Sequence, residues 1–192
     1  MSTVILGIDP GSRNLGYSIL QIDGNRYSAL RCDVLRLAHL EDHSERLQYI
    51  FEYLTNIIQS FEPAACAIET PVYGKDPLAM LKLGRAQAAA ILAATSNHVP
   101  VIEYYPKTVK KAVTGRGNAG KDQVAFMLRK VVVLPDEKLP PDATDALAVA
   151  WCHSMKESQQ SHGMPVSSRK KHQNRKGSDW SEFIRDNPER IR

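Results

Sequence analysis

Four carboxylates stand where burial makes a charge costly. Asp9 ends the apolar run Val4-Ile5-Leu6-Gly7-Ile8, Glu69 ends Ala64-Ala65-Cys66-Ala67-Ile68, and Asp142 and Asp145 open Asp142-Ala143-Thr144-Asp145-Ala146-Leu147-Ala148. A carboxylate at the edge of a buried element is unfavourable unless it is paired or holds a cation. Several converging on one spot would repel one another, so their convergence would imply bound metal. Hard cations such as magnesium take oxygen ligands, and two of them suit phosphodiester cleavage. These acids therefore point to a metal-dependent nuclease.

Each acid also has a local explanation. Asp9 precedes Pro10-Gly11 and could serve only as a turn former. The glycines on either side of Ser12-Arg13-Asn14-Leu15 could also let backbone approach a phosphate. This strand–turn–strand pattern occurs in sugar-kinase-type ATPases and in nucleases of the ribonuclease H type. The ATPases need two such domains, for which 192 residues are too few. Glu69 could face solvent at a strand end. Asp142 and Asp145, three apart at a helix start, read locally as a capping box, although the same spacing puts both carboxylates on one face of the first turn.

The acids meet only if the elements carrying them do. Residues 4–9 read as a buried strand, 15–22 as a second and 27–37 as a third, with Asp23-Gly24-Asn25 supplying a hairpin turn. Leu47, Ile50, Phe51, Leu54, Ile57, Ile58 and Phe61 recur at helical spacing, with Asp42 or Ser44 as cap and Pro63 as stop. Residues 64–69 follow as a strand parallel to the first. A helix over 77–96 carries an Ala-rich face suited to the core or to a dimer, the core being the default. A strand over 99–105, a short helix from Pro106, a helix over 121–133 and a last helix over 142–155 complete a mixed α/β domain with a central sheet.

Between two of these helices, Gly115-Arg116-Gly117-Asn118-Ala119-Gly120-Lys121-Asp122 imitates a nucleotide-binding loop. Asp122 stands where such a loop needs Ser or Thr, and a helix rather than a strand precedes it, which excludes ATP binding. The loop and its neighbours Lys110, Lys111, Arg116 and Lys121 suit contact with a phosphate backbone instead.

Composition agrees without deciding. The 25 basic and 21 acidic residues leave a net charge of +4, compatible with a nucleic-acid partner but not diagnostic of one. No apolar run approaches the ~18 residues that span a membrane. Cys32, Cys66 and Cys152 form no metal or disulfide pattern, which suits a reducing cytoplasm. The nuclease domain is expected over 1–157. Residues 158–192 are expected to form a basic, largely disordered tail, with a short helix presenting Trp180, Phe183 and Ile184.

Taken together, Ile5-Leu6-Gly7-Ile8-Asp9-Pro10-Gly11-Ser12-Arg13, Ala67-Ile68-Glu69, Leu81-Lys82-Leu83-Gly84 and Asp142-Ala143-Thr144-Asp145-Ala146-Leu147-Ala148 resemble, in order and separation, the RuvC family of Holliday junction resolvases. The resemblance covers roughly residues 1–155. It implies a ribonuclease H-like fold and a homodimer that cuts a four-way DNA junction at two symmetric points. It implies that Asp9, Glu69, Asp142 and Asp145 form a metal-binding catalytic tetrad for two Mg2+ ions per subunit, with Mn2+ as a substitute. Lys110 and Lys121 align with basic positions facing the junction, and the helix near 78–95 with the dimer element, which would account for its alanines. Some relatives place a stacking Phe three residues after the glutamate. Here Val72 occupies that position and Tyr73 follows, so Tyr73 is the expected stacking residue. A branch-migration motor of RuvA and RuvB is the implied partner. The rival expectations are a related nuclease acting on another nucleic acid and a catalytically silent junction-binding protein.

Overall fold

The first apolar run forms β1 (Thr3–Asp9), and the chain returns antiparallel to it as β2 (Asn14–Asp23). Gly24, at φ 57°, supplies the left-handed position of the next turn, and β3 (Arg26–Arg36) completes a meander. The computed structural model describes residues 2–72, 76–135 and 138–161. α1 (His43–Phe61) starts on Asp42, whose carboxylate accepts a hydrogen bond from the Ser44 amide at 2.5 Å. It ends at Glu62 in a left-handed conformation, and β4 (Ala65–Glu69) then runs parallel to β1. α2 (Pro77–Ser96), β5 (Val101–Tyr104), α3 (Pro106–Thr114), α4 (Lys121–Val131) and α5 (Pro141–Ser161) follow. The sheet order is β3-β2-β1-β4-β5, which places β1 at the centre.

Strand side chains alternate between faces, and the two faces carry separate cores. Leu6, Ile8, Tyr17, Ile19, Cys66 and Ile68 pack with Ile50 and Leu54 of α1 and with Ala90 and Ala94 of α2. Ile5, Leu20, Ala67 and Tyr104 pack on the other side with Val113 of α3, Leu128 of α4, and Ala143, Leu147 and Trp151 of α5.

α5 lies almost directly on the sheet backbone. A methyl group on Gly16 would fall 2.0 Å from the Asp142 carbonyl oxygen, and one on Gly7 would fall 2.2 Å from that of Ala146. Asp9 is the register partner of Gly16, so the same close approach carries Asp142 and Asp145 to the end of β1. This revises the role expected of the glycines around the turn. The space beside Gly11 is filled by the Asn14 carbonyl and that beside Gly16 by α5, so the chain's own backbone occupies the room read as phosphate space.

The default given for α2 holds, and two element bounds change. Most alanines of α2 belong to the core, since Ala86, Ala89, Ala90, Ala93 and Ala94 are buried, while Ala79, Ala88 and the large apolar side chains of Leu78, Leu81 and Leu92 are exposed. α4 stops at Val131 because the chain straightens to pair with the edge of β3. The Ala29 amide donates to the Val133 carbonyl at 2.8 Å, and the Val133 amide to the Tyr27 carbonyl at 2.9 Å. α5 begins at Pro141 and extends through Ser161, so Asp142 lies inside its first turn and not at the cap.

Of the two units into which the chain divides, the first, Met1–Ser158, holds the whole sheet. The tail expectation for Trp180, Phe183 and Ile184 lies outside the described residues. No described helix is long and apolar enough to cross a membrane.

Adding a methyl group at Gly16 has to lift the first turn of α5 from the sheet. Gly16→Ala is therefore expected to cost about 1–3 kcal/mol, as overpacking of a tight contact does. Chemical denaturation measures this, and an unchanged stability would show that α5 is not seated here.

Candidate active site

Ile8 lies opposite Ile68 in the parallel pair β1–β4, so Asp9 and Glu69 follow side by side at the strand ends, on the face that carries α5. Beyond Glu69, the Thr70 amide donates to the Tyr104 carbonyl at 2.9 Å. The Glu103 carboxylate accepts from Thr70 Oγ1 at 3.3 Å and from Gln87 Nε2 at 2.8 Å. These bonds fix the end of β4 to β5 and α2. From the opposite side, the first turn of α5 delivers Asp142 and Asp145. Carboxylate oxygens of Asp9, Asp142 and Asp145 all lie within 4.8 Å of one another.

This arrangement opposes ionisation. The Asp9 carboxyl is pushed up from 3.8 to about 7, mainly by burial and then by the charges of Glu69, Asp145 and Asp142, with Lys121 acting in the opposite sense. Burial, then Asp145, pushes Glu69 from 4.5 to about 7, against the influence of Lys121 and Lys110. Lys121 Nζ donates to Asp145 Oδ2 at 2.5 Å, and this bond holds the lysine pKa above its ordinary value. A cluster made only of oxygen donors, partly buried and mutually repelling, fits a hard divalent cation. The residues present therefore match the metal that the sequence reading requires.

A cleft of about 210 Å³ opens on the acids, lined by Asp9, Glu69, Lys110, Lys121 and Asp145, with Val109 and Val124 among its apolar walls. Lys110 and Lys121 thus line one cleft with Asp9, Glu69 and Asp145. Lys111 is exposed on α3 outside the cleft, and Arg116 lines a separate hollow with Phe126 and Met127. Val72 is exposed, and Tyr73 lies outside the described residues. The glycine loop joins helix to helix, with Gly115 closing α3 and Gly120 opening α4, in agreement with the exclusion of a nucleotide loop. Sequence reasoning missed the support given by Thr70, Gln87 and Glu103. These are ordinary polar residues far apart in the chain, and only the folded sheet edge brings them together.

The family model for the crossover junction endodeoxyribonuclease RuvC matches residues 5–153. The chain belongs to the RuvC family. It is 40% identical over 188 residues to the Salinibacter ruber RuvC endodeoxyribonuclease, covering 98% of both chains. Among solved structures it is similar to Thermus thermophilus RuvC in complex with a Holliday junction substrate. That similarity has a TM-score of 0.77 and 31% identity, covering 83% of this chain and 97% of that one. The yeast mitochondrial Holliday junction resolvase Ydc2 shares the fold, with a TM-score of 0.68 at 16% identity over 84% of this chain and 81% of that one. The RuvC fold is thus the mixed five-stranded sheet described above, as the ribonuclease H-like expectation requires.

The raised carboxyls make the metal-free protein sensitive to pH. Unfolded, Asp9 and Glu69 titrate near 3.8 and 4.5, and folded, near 7. Between these values the folded state holds protons that the unfolded state has lost, so stability is greatest at acid pH and falls as pH rises to about 7. Melts of metal-free protein from pH 5 to 8 are expected to show a falling midpoint, with a shallower fall in Asp9→Asn. Saturating magnesium, binding only the folded state, is expected to raise the midpoint at pH 8. A midpoint that climbs with pH in the absence of metal would contradict the assignment.

Proposed function

We propose that this chain is a structure-selective endonuclease that resolves four-way DNA junctions by symmetric, magnesium-dependent nicking in homologous recombination and DNA repair. The observation that carries this reading is the convergence of Asp9, Asp142 and Asp145 beside Glu69, in a chain of the RuvC family. The Thermus relative, whose structure holds a Holliday junction substrate, supports the choice of substrate.

Asp9, Glu69, Asp142 and Asp145 would hold two magnesium ions, for which manganese can substitute. The grouping of Asp9 with the two α5 acids, and the action of the Glu69 charge on it, supports Asp9 as a ligand. When bound, such ions stabilise charge on the attacking and leaving oxygens of phosphodiester hydrolysis. The protein supplies the geometry: β1 and β4 fix two carboxylates, and α5 closes the other two over them. Lys110 and Lys121 line the same cleft and place cationic charge toward an entering phosphate. Lys111, Arg116 and Tyr73 belong to the wider DNA surface, where phosphate contacts set affinity and register.

Symmetric nicking needs two such sites, and α2 supports a homodimer. Leu78, Leu81 and Leu92 are exposed and fall on one stripe of the helix, because spacings of three and eleven residues return to the same side. A motor of RuvA and RuvB is the partner in this reading, and the cytoplasm its location, which suits three buried, free thiols.

Two measurements test the proposal. On a synthetic four-way junction with magnesium, wild type is expected to give paired, ligatable nicks. Asp9→Asn is expected to bind the junction with little change in affinity while losing cutting by a factor of about 10² or more, as removal of a central charge-stabilising group does. Residual nicking near the wild-type rate would remove Asp9 from the mechanism. Independently, Leu81→Glu with Leu92→Glu is expected to convert dimer to monomer in sedimentation, and a persistent dimer would place the interface elsewhere.

A further inference from the structure

Lys121 occupies an awkward position for a cation. It is the first residue of α4, where the helix dipole favours negative charge. Its partner lies on another helix, since Nζ reaches across the cleft to Asp145 Oδ2 at 2.5 Å. Asp145 also contributes an oxygen to the cluster with Asp9 and Asp142. One carboxylate is therefore claimed by an ammonium group and by the cation that the cluster fits. A lysine and a divalent ion on the same carboxylate repel each other at short range.

The lysine is also built to leave. Its side chain is 68% exposed, on a flexible stem, at a helix start preceded by Gly120. Lys110 offers a contrast within the same cleft. It lowers the Glu69 carboxyl through space but makes no ion pair with the cluster.

We infer that Lys121 is a displaceable stand-in for the metal, paired with Asp145 in the unloaded site and released from it when metal binds. The inference rests on the metal site of the proposed function and adds a sequence of events to it. In the unloaded site the ammonium group neutralises part of the carboxylate repulsion and holds α4 against α5. Loading frees it into the cleft, so the lysine faces an incoming phosphate only where metal is already in place. The cleft thus withholds one of its two cations from DNA until it is charged with metal.

Manganese binding to the full-length protein without DNA, followed by the electron paramagnetic resonance signal of free Mn2+, tests this directly. Lys121→Gln is expected to bind Mn2+ about tenfold more tightly than wild type, the effect of removing a competing charged hydrogen bond. Lys110→Gln is expected to change affinity by less than about twofold, as a screened through-space charge does. In melts at pH 7.5, Lys121→Gln is expected to lower the metal-free midpoint and to match wild type once magnesium is saturating. Equal Mn2+ affinity in wild type and Lys121→Gln overturns the inference and leaves the metal site intact. Equal gains in both lysine variants overturn displacement in favour of general electrostatics. No Mn2+ binding in any of the three proteins overturns the metal site itself, and the inference with it.

Discussion

The contact on which this structure depends is that between the backbone of α5 and the backbone of β1 and β2. Gly7 and Gly16 present no side chain, and the carbonyls of Ala146 and Asp142 occupy the positions where methyl groups would stand. The helix meets them with Ala143, Ala146 and Ala150, all buried. Close packing of this kind tolerates little displacement. The position of Asp142 and Asp145 relative to Asp9 is therefore set by rigid main chain, not by flexible side chains.

The same burial that makes the geometry firm makes the charges reluctant. Asp9 and Glu69 hold their protons to about pH 7, because they are partly buried and like charges are near. Geometry and charge thus oppose each other in the cleft, and a divalent cation would reconcile them. Two lysines moderate the conflict from the rim. Val109 and Val124 add apolar wall to the same cleft.

Much of this was legible in the sequence, for physical reasons particular to each element. β1 and β4 announce themselves as apolar runs ending in acids, and α1 as a stripe with a cap, because burial imposes those periods directly. The four acids were legible as a proposed tetrad through chain order in a resemblance, whereas each acid by itself had an innocent local reading. What escaped detection depends on contacts distant in sequence. The alanines of α2 left an interface open beside the default of a core, and the fold assigns most of them to the core. Nothing local marks Val133 as a strand partner of β3. Gly11 and Gly16 signal a close approach without saying of what, and that visitor proved to be the chain itself. Lys121 was legible as a cation beside a phosphate path, but its partner Asp145 could be seen only across the cleft.

The site is also divided along the chain in a way that bears on synthesis. Asp9 and Glu69 leave the ribosome early, on a meander and a parallel strand that pair largely with their neighbours. Asp142 and Asp145 arrive only with the last helix of the domain. Until α5 has been made, a growing chain therefore carries the fold's first strands with two of the four proposed ligands and without the pair that would complete them. For a nuclease of the RuvC family, the late arrival of α5 makes the proposed metal centre depend on segments far apart in the chain.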